Sequence, residues 1–80
     1  MNPRQILRSV VDGLVISTVY DPEGVEPPIP GREPRKYETA VYETADEYAD
    51  IIDCERCHTE RKARDAHRLF AEKAGRGEFR

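Results

Sequence analysis

Five consecutive residues, Cys54 to His58, have the types and spacing that hold haem or a metal. They read CERCH and match C-x-x-C-H, the pattern that attaches c-type haem. Haem also needs an axial ligand from elsewhere, and the chain offers only Met1 and His67 for it. A structural zinc site usually draws four ligands from two close pairs, and the second pair is missing. A zinc or haem module built on Cys54, Cys57, His58 and His67 is therefore an alternative, and no cofactor is expected.

The element that carries CERCH separates the two sulfurs. Residues 49–58 are predicted to form a β-strand, in which successive side chains alternate between the two faces. Cys54 would then lie with Ile52, and Cys57 with Ile51, on opposite sides of the sheet. We expect Cys54 to be a small buried apolar side chain and Cys57 to close the strand before a helix.

The C-terminal segment predicts an amphipathic helix. Thr59 suits the N-cap and Glu60 the first turn, while Gly75 is placed to stop the helix. Residues 75–80 would form a flexible tail, unless they dock through Phe79. An apolar stripe at helical spacing would face the sheet: Ala63, Ala66, His67, Phe70 and Ala74.

No arrangement typical of a catalytic site is found. His67 is expected to be a packed histidine, bonded to backbone or to a neighbouring carboxylate. The chain has no Ser-His-Asp spacing, P-loop, dinucleotide-binding glycine pattern or zinc-protease motif. We therefore predict that the protein is not an enzyme.

The first part of the chain predicts antiparallel strands. Residues 5–11 and 14–21 are rich in β-branched side chains and flank Asp12-Gly13, a strong hairpin signal. A short helix opening at Pro3 is the rival interpretation. Residues 36–43 predict a further strand and residues 44–48 a polar turn. In that strand, one face carries Tyr37, Thr39 and Val41, and the other carries Ala40 and Tyr42.

These elements predict an α+β fold in a single domain over residues 1–80. An antiparallel sheet of three to four strands would carry one C-terminal helix packed on one face. Because the helix is thin and rich in alanine, we expect a second copy of the chain to cover the remaining apolar residues, in a homodimer or higher oligomer. The residues that the helix alone would not cover are Ile16, Val19, Val41, Tyr42 and Ile52.

A Pro-rich loop, defined as residues 22–35, interrupts the strands and holds five of the six prolines. Loops of this length in a small domain are either functional or mobile, and both interpretations stay open. If the loop binds a partner protein, we expect the contacts to come from its central residues: Pro27, Pro28, Ile29, Pro30 and Arg32.

Charge limits the classes of partner. The 80 residues carry a net charge of -3, divided between an acidic part, residues 1–55 at -7, and a basic part, residues 56–80 at +4. A general nucleic-acid binder is not expected from an acidic chain, because phosphate contacts dominate such affinity. Neither a signal peptide nor a transmembrane span is predicted, so the expectation is a cytoplasmic protein with free thiols and no membrane contact.

A second hypothesis is an oligomeric sponge that sequesters a nucleotide signal. The outer face of the helix presents arginines that would grip phosphates, and tyrosines would stack on a base. The residues proposed for this are Arg61, Arg64, Arg68, Tyr37 and Tyr42, with Arg32 as a further cation. The alternative interpretation is a solvated helix face with internal ion pairs.

Three segments resemble a group of short proteins from bacteriophage and prophage genomes. That group has a V-S-T-V strand, an E-T-x-V-F strand and an R-Y-x-T-x-x-E-A-x-x-x-H element. The matching residues lie at 16–19, 38–42 and 56–67, and the similarity spans about residues 8–70. Cys57 stands where the group has tyrosine, and Lys62 where it has glutamate. CERCH would then be a tyrosine-to-cysteine variant at the end of a strand.

The group has no established biochemical activity, so the resemblance implies a phage setting and no mechanism. We therefore expect a non-enzymatic phage accessory protein that acts by binding a host protein in the host-cell cytoplasm.

Overall fold

A computed structural model describes residues 3–43 and 51–79. Strands β1 (Arg4–Val11) and β2 (Leu14–Tyr20) form an antiparallel hairpin. Asp12 and Gly13 at its turn have φ values of 50° and 78°, as a type I′ turn requires at both positions. The predicted hairpin is confirmed, and the rival helix near the N-terminus is wrong.

Strands β3 (Tyr37–Glu43) and β4 (Asp53–Cys57) complete a four-stranded sheet with the order β1-β2-β3-β4. Each neighbouring pair is antiparallel. Strand β4 is shorter than the predicted strand 49–58, and the first two residues of that range lie outside the described residues. The polar turn predicted at 44–48 also lies outside them.

Helix α1 (Glu60–Gly75) begins as predicted. Thr59 is the N-cap, and its Oγ1 accepts the Lys62 N–H at 3.2 Å. Such a cap stabilises a helix by about 1 kcal/mol. The acidic Glu60 occupies the first turn, where it complements the helix dipole, and pairs with Arg64 at 2.9 Å.

The C-terminus of α1 differs from the prediction. Gly75 is the last helical residue, and the left-handed position belongs to Gly77, with a φ of 74°. The Gly77 N–H donates to the Ala74 carbonyl at 3.1 Å, and the next N–H donates to the Lys73 carbonyl at 3.0 Å. These two bonds form a Schellman motif, for which glycine is the usual residue.

The segment after α1 is docked through Phe79, which was the stated alternative to a flexible tail. The ring of Phe79 packs edge-on against Phe70, with the ring centroids 5.9 Å apart. The ammonium of Lys73 lies 5.1 Å from the centroid of the Phe79 ring. The docked ring extends the apolar contact between helix and sheet by one more side chain.

The apolar stripe of α1 faces the sheet as predicted. Its buried residues are Ala63, Ala66, His67, Phe70 and Ala74. The main core joins the last two of these to Leu14, Ile16 and Val41. Full burial of a large apolar side chain stabilises the fold by about 1.5–3 kcal/mol. The expectation that Ile16 and Val41 need a cover beyond α1 is wrong, because both lie under the helix and are fully buried.

The outer sheet face, the side away from α1, carries Val10, Val15, Ser17, Val19, Ala40, Tyr42 and Cys54. The strand register aligns Val10, Val15 and Tyr42 in one row across three strands. Val15 is fully buried, Tyr42 is half-buried and Val10 is 54% exposed. The described residues thus form an α+β fold whose helix covers one face of the sheet.

Candidate functional site

The two ends of the Pro-rich loop are held together by backbone hydrogen bonds. The Asp21 N–H donates to the Lys36 carbonyl at 2.8 Å, and the Val25 N–H donates to the Arg35 carbonyl at 2.9 Å. A turn closed by the Gly24 N–H and the Asp21 carbonyl, at 3.0 Å, lies between these bonds. The base of the loop therefore extends the antiparallel pairing of β2 and β3 beyond the strand ends.

An ion pair between Glu26 and Arg35 closes the loop above this base. Arg35 Nε donates to one carboxylate oxygen at 2.8 Å, and Nη2 donates to the other at 2.5 Å. This bidentate bond is the main reason why the pKa of the Glu26 carboxyl falls from 4.5 to about 2. The carboxylate is thus charged at neutral pH, and the ion pair persists. We call the Glu26–Arg35 ion pair the clamp.

The residues predicted to contact a partner lie together at the exposed tip of the loop: Pro27, Pro28, Ile29, Pro30 and Arg32. The Arg32 N–H donates to the Ile29 carbonyl at 3.1 Å, and Gly31 has a φ of 80°. A β-turn with proline second and a left-handed glycine third is of type II. The turn holds the Ile29 side chain 45% exposed.

A groove runs between β4 and α1, next to the end of the Pro-rich loop. We call it the β4–α1 groove; its volume is about 440 Å³. A volume of this order is typical of small-molecule sites. The groove is lined by Arg35, Glu55, Arg56, Cys57, His58, Lys62, Asp65, Ala66 and Leu69.

The Cys57 thiol is part of this groove and is buried, with 7% of the residue exposed. Burial and then the charge of Glu55 raise the pKa of the thiol, while the charges of Lys62 and Arg35 act in the opposite direction. Both cations line the groove together with Cys57. A thiol with a raised pKa is a poor nucleophile at neutral pH, so Cys57 contributes a packed wall.

The two cysteine side chains of CERCH do not come together at one site. Cys57 pairs with Tyr37 on the helix side of the sheet, whereas Cys54 pairs with Ala40 on the outer sheet face. The separation of the two sulfurs is as predicted. The expected burial of Cys54 is wrong: Cys54 is exposed because it lies on an edge strand and faces away from α1, whereas Cys57, on the helix side of the same strand, is buried.

The other proposed metal ligands also lie apart. His58 is exposed at the end of β4, and His67 is buried under α1. Within residues 3–43 and 51–79, no group of three or more His, Cys, Asp or Glu side chains is placed to hold a metal ion.

His67 is the centre of a buried chain of hydrogen bonds. Its Nε2 lies 2.8 Å from Ser9 Oγ, and its Nδ1 lies 2.9 Å from Thr18 Oγ1. Thr18 Oγ1 lies 2.7 Å from Thr39 Oγ1, which donates to the Ala63 carbonyl at 3.2 Å. The predicted packed histidine is found, but its partners are hydroxyl groups, whereas backbone or a carboxylate was expected.

The direction of donation along this chain of hydrogen bonds is set by its last acceptor, the Ala63 carbonyl. A carbonyl only accepts and each hydroxyl has one proton, so Thr39 donates to Ala63 and Thr18 donates to Thr39. The Nδ1 of His67 must then carry the proton that Thr18 accepts. Burial lowers the pKa of His67 and so favours the neutral ring, in which Nε2 accepts from Ser9.

The pair of Ser9 and His67 has the hydrogen bond of a nucleophile and its base. In a Ser-His-Asp triad, a carboxylate on Nδ1 stabilises the imidazolium that forms, whereas here Nδ1 faces the neutral hydroxyl of Thr18. Burial and then the charge of Arg64 lower the pKa of His67, which weakens it as a base. The arrangement suits a polar element of the core.

The residues proposed to bind a nucleotide do not form one site. Arg61, Arg64 and Arg68 are exposed on α1, and the last two pair with Glu60 at 2.9 Å and Asp65 at 3.5 Å. Tyr37 lies on the helix side and packs near Cys57, whereas Tyr42 lies on the outer sheet face. Within one chain, the two rings and the arginines therefore do not converge on one ligand.

Several residues of these sites were not singled out from the sequence. Glu26 and Arg35 flank Pro27, Pro28, Pro30 and Pro34 with opposite charges, and this charge pattern is the sequence signal for their ion pair. Ser9 and Lys62 carry no local signal, because their positions depend on how the sheet and the helix pack together.

No helix within the described parts of the chain is long and apolar enough to cross a membrane.

Comparisons with family models, curated proteins and solved structures find no match to this chain.

Proposed function

We propose that the protein acts by binding another protein, without catalysis, through the tip of the Pro-rich loop. The observation that carries this proposal is the exposed Ile29, held in a type II turn above the clamp of Glu26 and Arg35. An exposed apolar side chain on a braced loop is the kind of anchor that partner proteins bury.

Pre-organisation is the physical advantage of this loop. Ordering a side chain during association costs about 0.5–1.5 kcal/mol, and ordering backbone adds to that cost. Pro27, Pro28 and Pro30 each have a restricted φ, and the clamp fixes the loop entry, so less freedom remains to be lost on binding. Most of the conformational entropy that binding would cost is therefore already lost when the protein folds.

The resemblance to phage and prophage proteins supports the setting of this proposal. A small protein that binds without catalysis would act stoichiometrically on a host protein, in the cytoplasm of the infected cell.

We further propose that the protein is a homo-oligomer, joined through the outer sheet face. The exposed Val10 and the half-buried Tyr42 flank Val15 in one row, and the described elements leave Val10 facing solvent. The opposite net charges of residues 1–55 and 56–80 also favour association between copies.

The experiment is quantitative capture from bacterial lysate, with Ile29→Asn compared against Ile51→Asn. Both isoleucines are exposed outside regular structure, at 45% and 52%, so the two changes match in chemistry and burial. We expect Ile29→Asn to lose the captured protein while its thermal unfolding stays unchanged, and Ile51→Asn to retain it. Equal capture by both variants would refute the loop as the contact.

A further inference from the structure

We infer that the β4–α1 groove is a binding site for a small phosphate monoester the size of a mononucleotide. This inference concerns a different surface from the loop tip and does not depend on the proposed protein contact. Three features of the groove lining carry it: the cations, the apolar wall and the carboxylates.

The cations stand on two different elements that line the groove. Arg35, at the end of the Pro-rich loop, and Lys62, in the first turn of α1, both belong to the lining together with Cys57. The Nε and Nη2 of Arg35 are bound by Glu26, which fixes the guanidinium and leaves Nη1 without a partner in the described structure. Lys62 forms no side-chain ion pair with any described residue. A groove lined by a braced guanidinium and by an ammonium without a described ion pair is suited to a phosphate.

Arg56 also lines the groove, but its Nε is bound to Glu38 at 3.0 Å. Arg56 is therefore a third cation of the lining, held by a carboxylate as Arg35 is. The exposed His58 lies beside them in the lining and offers a further hydrogen-bond donor.

The rest of the lining fits the organic part of such a ligand. Leu69 is 50% exposed although it is apolar, and with Ala66 it forms a wall on the α1 side, where a flat ring would be buried. Glu55 and Asp65 lie in the same groove, and carboxylates accept hydrogen bonds from sugar hydroxyls. Phosphate, ring and hydroxyl groups occur together in a nucleoside monophosphate.

The groove is distinct from the arginine face considered from the sequence. Arg61 is not part of its lining, and neither are Arg64 and Arg68. Lys62 and Arg61 are adjacent, exposed and cationic, so they form a matched pair of positions, with one inside the groove and one outside.

The test is a two-dimensional amide NMR titration of the full chain with adenosine 5′-monophosphate, inorganic phosphate and adenosine. We expect the monophosphate to give saturable shifts at Cys57, His58 and Lys62, with weaker binding of phosphate at the same amides and weaker still of adenosine. Lys62→Gln should reduce the affinity about tenfold, the effect of losing one charge-assisted contact, and Arg61→Gln should leave it unchanged.

Four results would overturn the inference. The first is the absence of saturable shifts with the monophosphate. The second is adenosine or inorganic phosphate binding as tightly as the monophosphate. The third is an equal loss of affinity in Lys62→Gln and Arg61→Gln, which would indicate diffuse charge attraction. The fourth is a set of shifts confined to the arginine face.

Discussion

Ser9 Oγ and His67 Nε2 lie 2.8 Å apart, although 58 residues separate them in the chain. Through His67 and Thr18, this contact connects β1, β2, β3 and α1 by side-chain hydrogen bonds. Within the described residues, no deeply buried side-chain nitrogen or oxygen lacks a partner. A fully paired polar chain of this kind favours one packing of helix on sheet, because a shifted helix would leave buried groups unpaired.

The first prediction concerns the two hydroxyls that contact His67. Thr18→Val should lower the free energy of unfolding by about 1–3 kcal/mol, since it strands the buried Nδ1–H. Ser9→Ala should cost only about 0.5–1.5 kcal/mol, because Ser9 is half-buried and water can replace its hydroxyl. Urea denaturation of both variants measures the difference. Equal costs would contradict the deeper burial of the Thr18 contact compared with the Ser9 contact.

The second prediction is a loss of stability in mild acid. The folded protein holds the pKa of His67 below its usual 6.5, so the unfolded chain takes up a proton first as the pH falls. The free energy of unfolding should therefore decrease below about pH 6.5 and level off once the pH passes the folded pKa. Urea midpoints from pH 7.5 downward measure this slope.

Substitution of each histidine in turn shows which of them causes the decrease of the free energy of unfolding in mild acid. His67→Gln should flatten it, whereas His58→Gln, a change at an exposed position, should leave it in place. A slope that persists in His67→Gln and disappears in His58→Gln would contradict the assignment.

The third prediction concerns thiol reactivity. Cys54 is exposed and Cys57 is buried with a raised thiol pKa, so a thiol reagent should modify one cysteine per chain quickly and the second only after unfolding. Cys54→Ser should remove the fast reaction, and Cys57→Ser should keep it. Formation of an intramolecular disulfide in the native protein would contradict their placement on opposite faces.

The fourth prediction concerns the proposed oligomer. Val10→Arg should reduce the mass in native mass spectrometry to that of one chain, because a charge on the outer sheet face opposes burial between copies. Leu69→Arg is a matched control, since Leu69 is 50% exposed against 54% for Val10 and lies on the other side of the sheet. A single-chain mass for the unchanged protein would contradict the oligomer.

Elements with local signals were predictable from the sequence. Asp12-Gly13 defines a hairpin through the conformation of two residues, and Thr59 with the alanine-rich stripe defines the start and buried face of α1. Strand alternation also correctly separated Cys54 from Cys57.

Features that need distant residues were not predictable. Alternation does not say which side of the sheet the helix covers, so the burial of Cys54 was predicted wrongly. The β4–α1 groove and the clamp of Glu26 and Arg35 depend on contacts between separate elements. The Schellman motif at Gly77 was missed because Gly75 is an equally good local stop signal, and the docking of Phe79 favours the later end.

Thr18, Thr39 and the pair Ala63 and His67 lie in three separate segments of the sequence and are joined in one buried hydrogen-bond chain. These positions account for how the helix is fixed on the sheet.

Amide hydrogen exchange on the captured complex tests the central claim, contact through the loop tip, most directly. Because the prolines lack N–H groups, the informative amides of the tip are those of Ile29, Gly31, Arg32 and Glu33. The account predicts that these amides exchange more slowly in the complex than in the free protein, while amides of β1 on the outer sheet face are unchanged by the partner. Unchanged exchange at the tip, with new protection confined to β1 or to α1, would contradict it.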